Sequence, residues 1–232
     1  MIEVKKLVKR FGLKIVLRGV DFHVEPGEFV ALLGPNGAGK TTFLRILATL
    51  SRPTMGIVSM AGFALPAQSA AVRQRLGVVS HMPLLYGDLT AGENLQFYGR
   101  MYGIHRLNER IDEVLALVGL TTRRNDLVRT FSRGMQQRLA IGRAVLHDPD
   151  IMLFDEPYTG LDQDASEMLD TVLKEVAARG RTVVMTSHDL ARAEDLATRF
   201  DILSRGVIAA SASRADLGKD NLLTFYKQAL AA

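Results

Sequence analysis

The stretch "EFVALLGPNGAGKTTFL", residues 28–44, decides how this chain folds. It opens with a short apolar run, which is typical of a strand buried on both faces. After the glycines, the apolar residues recur at helical spacing, at Phe43, Leu44, Ile46, Leu47 and Leu50. The segment between matches G-x-x-x-x-G-K-[ST], a loop whose backbone N–H groups surround phosphates. We therefore predict a strand, a phosphate loop and a helix in that order, and a bound nucleoside triphosphate.

The residues of this loop have distinct predicted roles. Its glycines allow the backbone to curl around an anion, and the positive end of the following helix dipole adds to the attraction. Lys40 is expected to reach the β- and γ-phosphates, and the Thr41 hydroxyl to bind Mg²⁺. The predicted nucleotide-binding residues of the loop are Gly34, Pro35, Asn36, Gly37, Ala38, Gly39, Lys40, Thr41 and Thr42.

A second motif, "IMLFDEPYTGLD" at residues 151–162, ends an apolar strand in two adjacent carboxylates. Like charges at neighbouring positions repel each other unless a cation or a proton compensates them. Behind a phosphate loop, Asp155 is predicted to hold Mg²⁺, usually through water. Glu156 is predicted to be the base that orients or deprotonates an attacking water.

The remaining pattern predicts an α/β fold in one folding unit. The first 30 residues alternate in the manner of strands, and the segment from about 85 to 147 is helical. Because helices elsewhere alternate with apolar strands, a mainly parallel sheet with a helical insertion fits best. The further predicted strands lie at 56–60, 76–80, 151–155 and 182–187. A hairpin is predicted at 200–211, with its turn near Arg205 and Gly206.

Composition limits the possible functions. No apolar run approaches 18 residues, the N-terminus lacks the pattern of a signal peptide, and there are no cysteines. We therefore expect a cytoplasmic location without disulfides. The net charge of +4 is mild, and the basic stretches are not interleaved with aromatic residues. No nucleic-acid partner is predicted.

The order of the motifs suggests a family. After the phosphate loop come "FSRGMQQRLAIGRAVLHDPDIMLFDEPYTGLD" (131–162) and "TSHD" (186–189). With these motifs, nearly all of the chain resembles the ATP-binding subunit of an ABC transporter. The resemblance implies a single domain over 1–232, with a P-loop NTPase core and a mainly parallel sheet. It also implies an N-terminal antiparallel β subdomain and a helical subdomain at about 85–147.

The resemblance extends the predicted site. Residues 34–42 match Walker A and 151–155 match Walker B, while Glu156 stands at the catalytic glutamate and His188 at the switch histidine. Phe11 stands where the family places an aromatic residue on adenine, although a core phenylalanine near a turn is the alternative. The other matched positions are the signature residues Ser132, Arg133, Gly134 and Met135, the D-loop residue Asp162 and the Q-loop position His81.

The family also implies the partners. Two subunits, identical or different, pair head to tail with ATP and Mg²⁺ at their interface, and hydrolysis reopens the pair. The signature of one subunit contacts the nucleotide of the other, which suits a helix N-terminus. An integral membrane permease is the implied partner, with the subunit peripheral on the inner face of the cell membrane.

The chain departs from the family pattern at three places. The signature reads F-S-R-G-M, and we expect Arg133 to leave ATP-driven pairing intact. His81 replaces the usual glutamine. A neutral imidazole offers one donor and one acceptor, and imidazoles titrate near neutrality. Tyr158 replaces a small hydroxyl residue. The last two changes resemble the haem-exporter subunit of cytochrome c maturation, which predicts haem export.

Other functions remain open at this point. One alternative is an exporter ATPase for another substrate, such as a drug or a lipid. Another is an ABC-type ATPase that acts on ribosomes or nucleic acid without transport, although residues 43–131 carry no sustained heptads. A P-loop GTPase or kinase would leave the signature unexplained, and the guanine-reading N-K-x-D is missing. A structural nucleotide-binding protein would not need Glu156.

Overall fold

The structure, a computed structural model, describes residues 1–80, 82–161, 163–217 and 221–231. The strands are β1 (Ile2–Phe11), β2 (Lys14–Val24), β3 (Phe29–Leu33), β4 (Met55–Met60), β5 (Phe63–Leu65), β6 (Leu76–Val79), β7 (Ile151–Asp155), β8 (Thr182–Ser187), β9 (Arg199–Ser204) and β10 (Val207–Ser213). The α-helices are α1 (Lys40–Leu47), α2 (Ser69–Arg73), α3 (Ala91–Met101), α4 (Leu107–Leu117), α5 (Arg133–Val145), α6 (Gln163–Ala178), α7 (Leu190–Leu196), α8 (Arg214–Leu217) and α9 (Leu222–Ala231).

The larger sheet has the strand order β10-β9-β3-β8-β7-β6. Its neighbouring strands are parallel except for β9 and β10, which form the predicted hairpin. Every residue of β3, β7 and β8 is buried, which explains their unbroken apolar runs. Because the three strands are parallel neighbours, their carboxyl ends lie side by side. The segments that follow them carry the phosphate loop, Glu156 and His188.

The core lies on both faces of this sheet. Along β3, Ala31 and Leu33 belong to one hydrophobic cluster, together with residues of α3 to α6. Val30 and Leu32 belong to a second cluster, which includes α1 and the antiparallel sheet. The alternation follows from the period of two in a strand. The phosphate loop is therefore anchored by a strand that packs against both halves of the core.

The smaller sheet has the order β2-β1-β4-β5 and is antiparallel. The predicted α/β class, with a mainly parallel sheet and an antiparallel N-terminal sheet, is confirmed. The sequence reasoning missed β5 and α2, which have only three and five residues. Elements this short do not establish a periodic pattern.

The chain between β6 and β7 is mainly helical. It contains α3, α4 and α5, with two 3₁₀ helices at Thr121–Arg123 and Val128–Thr130. A capping box fixes the start of α3, because the Thr90 hydroxyl accepts from the Glu93 N–H and the Glu93 carboxylate accepts from the Thr90 N–H.

One helical assignment from the sequence is wrong. The apolar spacing after the phosphate loop placed Leu50 on α1, but the helix ends at Leu47. Thr49 adopts φ +61, so the chain leaves the helix before Leu50, whose surface is 55% exposed. Leu50 matches the helical spacing of apolar residues only by coincidence, since it lies beyond the end of α1. Over the ranges that the structure describes, no helix is long and apolar enough to cross a bilayer.

A substitution in β6 tests the packing behind the site. A Cβ on Gly77 would lie 2.3 Å from Sδ of Met152 and 2.5 Å from the carbonyl oxygen of Ala144. Gly77→Ala should therefore lower the free energy of unfolding by about 1–3 kcal/mol, measured by urea denaturation. The control is Gly87→Ala, whose Cβ would meet Arg129 at an ordinary 3.5 Å. Equal stability of the two variants would contradict this packing.

Candidate functional site

A cleft of about 830 Å³ lies beside the phosphate loop, within the size range of small-molecule sites. Most of the predicted loop residues line it, together with the predicted base: Pro35, Asn36, Gly37, Gly39, Lys40, Thr41, Thr42 and Glu156. The opposite wall comes from β2 and the β9–β10 turn: Lys14, Ile15, Val16, Arg18, Arg205, Gly206 and Val207. Five of these wall residues, at 14, 15, 18, 205 and 207, are basic or exposed apolar side chains of the kind that sequence motifs do not mark.

Two glycines show why the loop has its form. At Gly34 a Cβ would lie 2.1 Å from the carbonyl oxygen of Leu203, so only glycine allows the loop to leave β3 here. At Gly37, with φ +81, no heavy atom lies within 4 Å of a Cβ position. This backbone is open to the cleft that it lines, as a phosphate cradle requires. Ala38 is buried behind the loop.

Lys40 is buried at the first position of α1, with 7% of its surface exposed. Its Nζ donates to the carbonyl oxygen of Gly34 at 2.7 Å and lies 3.6 Å from Oε1 of Glu156. A buried ammonium needs such partners, because its desolvation is otherwise costly. The positive charge is thereby held at the helix N-terminus, where an anion is favoured.

Oxygen atoms from three segments meet beside Lys40. The Thr41 hydroxyl donates to Oδ1 of Asp155 at 3.1 Å, and the Thr186 hydroxyl donates to the same atom at 2.9 Å. Asp155 is buried, and its strand register pairs it with Thr186 of β8. Hydroxyl and carboxylate oxygens are the ligands that Mg²⁺ prefers. The donor set of Thr41 and Asp155 fits Mg²⁺.

Glu156 has an uncommon backbone conformation. Its φ is +49, in the left-handed region that non-glycine residues rarely adopt, and its N–H donates to the Thr186 hydroxyl at 2.9 Å. Such a conformation costs of order 1–3 kcal/mol and is frequent at functional sites. One carboxylate oxygen lies near Lys40, and the other is 2.6 Å from Nδ1 of His188. The structure thus brings the predicted base and the predicted switch histidine into contact.

Other predicted residues lie outside the cleft. Phe11 is 55% exposed at the end of β1, with the Lys9 ammonium 4.7 Å from its ring centroid. In the signature segment, Ser132 caps α5 by accepting from the Met135 N–H at 3.2 Å, and Arg133 is exposed beside it. Gly134 is buried in the first turn of α5. None of these residues lines the cleft of its own chain. The predictions for His81 and Asp162 fall outside the described residues.

Thr186 is the main residue that sequence reasoning missed. Its hydroxyl joins the two acidic residues, since it donates to Asp155 and accepts from the N–H of Glu156. The signal was available in principle, because the apolar runs at 151–155 and 182–187 both end near the site. Recognising it required the strand order and register, which place Asp155 opposite Thr186.

Comparison with known proteins decides the family. The sequence model described as ABC transporter matches residues 17–159. The chain belongs to the ABC transporter family. One similar protein is the linearmycin resistance ATP-binding protein LnrL of Bacillus subtilis (strain 168), 38% identical over 220 residues, which are 94% of this chain and 70% of LnrL. Another is the Nod factor export ATP-binding protein I of Burkholderia pseudomallei (strain 1710b), 38% identical over 226 residues, with coverage of 94% and 74%.

A solved structure extends the comparison to the fold. It is a dimeric ATP-binding cassette in a post-hydrolysis state bound to ADP and Pi. Its TM-score is 0.84 at 29% identity, covering 92% of this chain and 99% of that one. The ABC ATPase architecture, the ATPase activity and the use of ATP with Mg²⁺ are thereby confirmed for this chain. Haem export finds no support in the names of the relatives.

A change at Thr186 tests the oxygen site. Thr186→Val keeps the shape of the side chain but leaves Asp155 without one donor and the Glu156 N–H without its acceptor. We expect ATP turnover to fall by about 10- to 100-fold, as for other residues that orient metal ligands. Stability should fall by about 1–3 kcal/mol, measured by thermal unfolding.

The matched control is Thr182→Val at the other end of β8. The Thr182 hydroxyl accepts from the Gly27 N–H at 3.0 Å, and the residue is equally buried. This variant should lose comparable stability and keep its turnover. If both variants lost turnover equally, the effect would come from β8 as a whole and not from the oxygen site.

Proposed function

We propose that this chain hydrolyses ATP in the cleft with Glu156 as the base that orients the attacking water. The observation that carries the proposal is the position of its carboxylate, between the Lys40 ammonium at 3.6 Å and the His188 imidazole at 2.6 Å. In this position the carboxylate lies close to the buried positive charge of Lys40. His188 holds the carboxylate from the exposed side and is placed to donate to the γ-phosphate or the water.

The loop residues bind and orient the triphosphate in this proposal. The backbone of 34–41 and the N-terminus of α1 receive the phosphate oxygens, and Lys40 exchanges its contacts with its own loop for the β- and γ-phosphates. Thr41 and Asp155 hold Mg²⁺, which neutralises charge on the β- and γ-phosphates when bound. Phe11 supplies a ring for adenine at the end of β1. His81 and Asp162 keep the Q-loop and D-loop roles implied by their positions.

A second chain completes the site. ABC cassettes of this family act as pairs together with a membrane permease. We propose that Ser132, Arg133, Gly134 and Met135 contact the nucleotide of the partner cassette. Their position supports this, because the exposed start of α5 lies outside the cleft of its own chain. The Arg133 guanidinium donates to the carbonyl oxygen of Thr159 at 3.4 Å, so its side chain is bound within its own subunit. In this proposal it does not prevent the two cassettes from pairing.

We propose further that the chain acts as a single ABC domain, with 85–147 as its helical subdomain, at the inner face of the cell membrane. The permease provides the attachment. Residues 86–94, which follow the Q-loop position and include the first turn of α3, are the proposed contact. Tyr86 in this segment is 49% exposed, and its ring packs edge-on to Phe97 at 5.1 Å.

For the substrate, we propose export of an organic molecule other than haem. The support is the printed function of the relatives, linearmycin resistance and Nod factor export. The haem assignment came from His81 and Tyr158. Tyr158 binds Asp170 inside its own subunit, and this contact accounts for the residue without reference to the cargo.

The substrate proposal is tested with the complex purified from native membranes in mild detergent and returned to vesicles. ATP turnover is measured with and without haem. Turnover that does not respond to haem supports the proposal. Stimulation by haem, together with recovery of haem-handling proteins in the same complex, would replace it by haem export.

Glu156→Gln tests the catalytic proposal. The amide keeps the size of the side chain but cannot act as a base, so we expect kcat to fall by about 10²- to 10⁴-fold. ATP binding should persist, and the variant should form a stable ATP-dependent dimer in size-exclusion chromatography. Glu109→Gln, the same change at an exposed residue of α4, is the control. Undiminished turnover in Glu156→Gln would contradict the assigned role.

A further inference from the structure

Tyr158 lies two residues after Glu156, and its side chain is fixed by two helices. Its hydroxyl donates to Oδ1 of Asp170 on α6 at 2.5 Å. The guanidinium of Arg192 on α7 lies over its ring, 4.5 Å from the centroid. Arg192 also donates to Oδ2 of Asp170 at 3.0 Å. Tyr158, Asp170 and Arg192 therefore contact one another pairwise, and we call them the Tyr158 triad.

The triad reaches the switch histidine through Asp189. This residue caps α7, because its Oδ1 accepts from the Arg192 N–H at 3.2 Å. Its other oxygen lies 3.5 Å from Nε of Arg192. Arg192 is thus held by Asp170 on one side and by Asp189 on the other. Since Asp189 follows His188 directly, the position of Arg192 sets the position of the His188 backbone.

His188 needs such support, because burial does not hold it. Its side chain is 68% exposed, and its Nδ1 is 2.6 Å from Oε2 of Glu156. Both Glu156 and His188 are connected to Tyr158. Glu156 is connected through Pro157 along the chain, and His188 is connected through Asp189 and Arg192. Because both connections start from Tyr158, they restrict the distance between the Glu156 and His188 side chains.

The chemistry of the triad suits a permanent connection. Asp170 and Arg192 are about 30% and 28% exposed, so their charges neutralise each other with less screening than at an open surface. Burial, followed by the bond to Asp170, raises the pKa of the Tyr158 hydroxyl. The hydroxyl therefore stays protonated and remains a donor. A bond to a charged acceptor is stronger than a neutral one.

We propose that Tyr158, acting with Asp170 and Arg192, is a positioning residue that sets His188 against Glu156 for ATP hydrolysis. The proposal rests on the functions proposed above for Glu156 and His188. Tyr158 does not touch the nucleotide cleft and is not a catalytic residue. Its hydroxyl acts by fixing Asp170 and Arg192, and its ring acts by supporting the guanidinium.

The first test is Tyr158→Phe in the full chain. This change keeps the ring under Arg192 and removes only the donor to Asp170. We expect kcat for ATP to fall about tenfold, because small displacements of reacting groups are costly, with KM and ATP affinity unchanged. Tyr102→Phe removes the same atom from a ring stacked on His147, 3.7 Å away, and should keep wild-type kcat. Wild-type kcat in Tyr158→Phe would overturn the proposal.

The second test observes His188 directly. The imidazole nitrogens are followed by NMR in the full chain, with His188→Gln used to assign their signals. Tyr158→Phe and Arg192→Gln should both shift the Nδ1 signal away from its hydrogen-bonded position, while Tyr102→Phe should not. A merely structural role would lower the melting temperature and leave the His188 signals unchanged, and that result would overturn the proposal.

The two proposals fail in different ways. Full turnover in Glu156→Gln would remove the catalytic proposal and the positioning proposal that depends on it. Loss of turnover in Glu156→Gln with wild-type kcat in Tyr158→Phe would overturn only the positioning proposal. Tyr158→Phe and His188→Gln should also be non-additive in kcat, since they act on one contact. Strict additivity would count against the positioning proposal.

Discussion

The hydrogen bonds to the Asp155 carboxylate are the interaction on which the rest of the site depends. One buried oxygen accepts from Thr41 on α1 and from Thr186 on β8, so three separate segments meet at a single atom. A buried carboxylate is stable only with such partners. The strand order makes the junction possible, because β3, β8 and β7 are parallel neighbours that end at the same edge. The need to pair the buried Asp155 carboxylate therefore positions the phosphate loop, the predicted metal ligands and the predicted base together.

The strained backbone at Glu156 follows from this junction. The preceding residue is tied to Thr41 and Thr186, and the Glu156 N–H is tied to Thr186 as well. These contacts hold Glu156 at φ +49 and leave its carboxylate near Lys40 and His188. The strain is local, and the strands β7 and β8 on which it rests are buried along their whole length.

Much of the fold was predictable, because its central strands are short unbroken apolar runs. β7 and β8 have the bounds expected from sequence, and the hairpin turns at Arg205 and Gly206 as expected. Leu50 was misplaced, since periodicity does not register a left-handed residue such as Thr49. The phosphate loop was predictable because the anion imposes its own spacing of glycine, lysine and hydroxyl residues.

The rest of the site could not be read from the sequence, because it depends on which segments meet in space. The wall from Lys14 to Arg18 faces the loop only because β2 passes close to the β9–β10 turn, where the Arg18 N–H donates to Gly206. Tyr158 is a similar case. Its replacement of a small residue suggested a substrate class, whereas its hydroxyl binds Asp170 on a helix of the same subunit.

The central claim is that Thr41 and Asp155 form the metal site and that Glu156 lies beside the γ-phosphate. A crystal structure of the Glu156→Gln chain with ATP and Mg²⁺ tests it most directly. The account predicts Mg²⁺ bound to the Thr41 hydroxyl, with Asp155 coordinating it directly or through one water. It also predicts Ser132 of a second chain at the γ-phosphate. A metal ion held away from both Thr41 and Asp155, or ATP bound outside the cleft, would contradict the account.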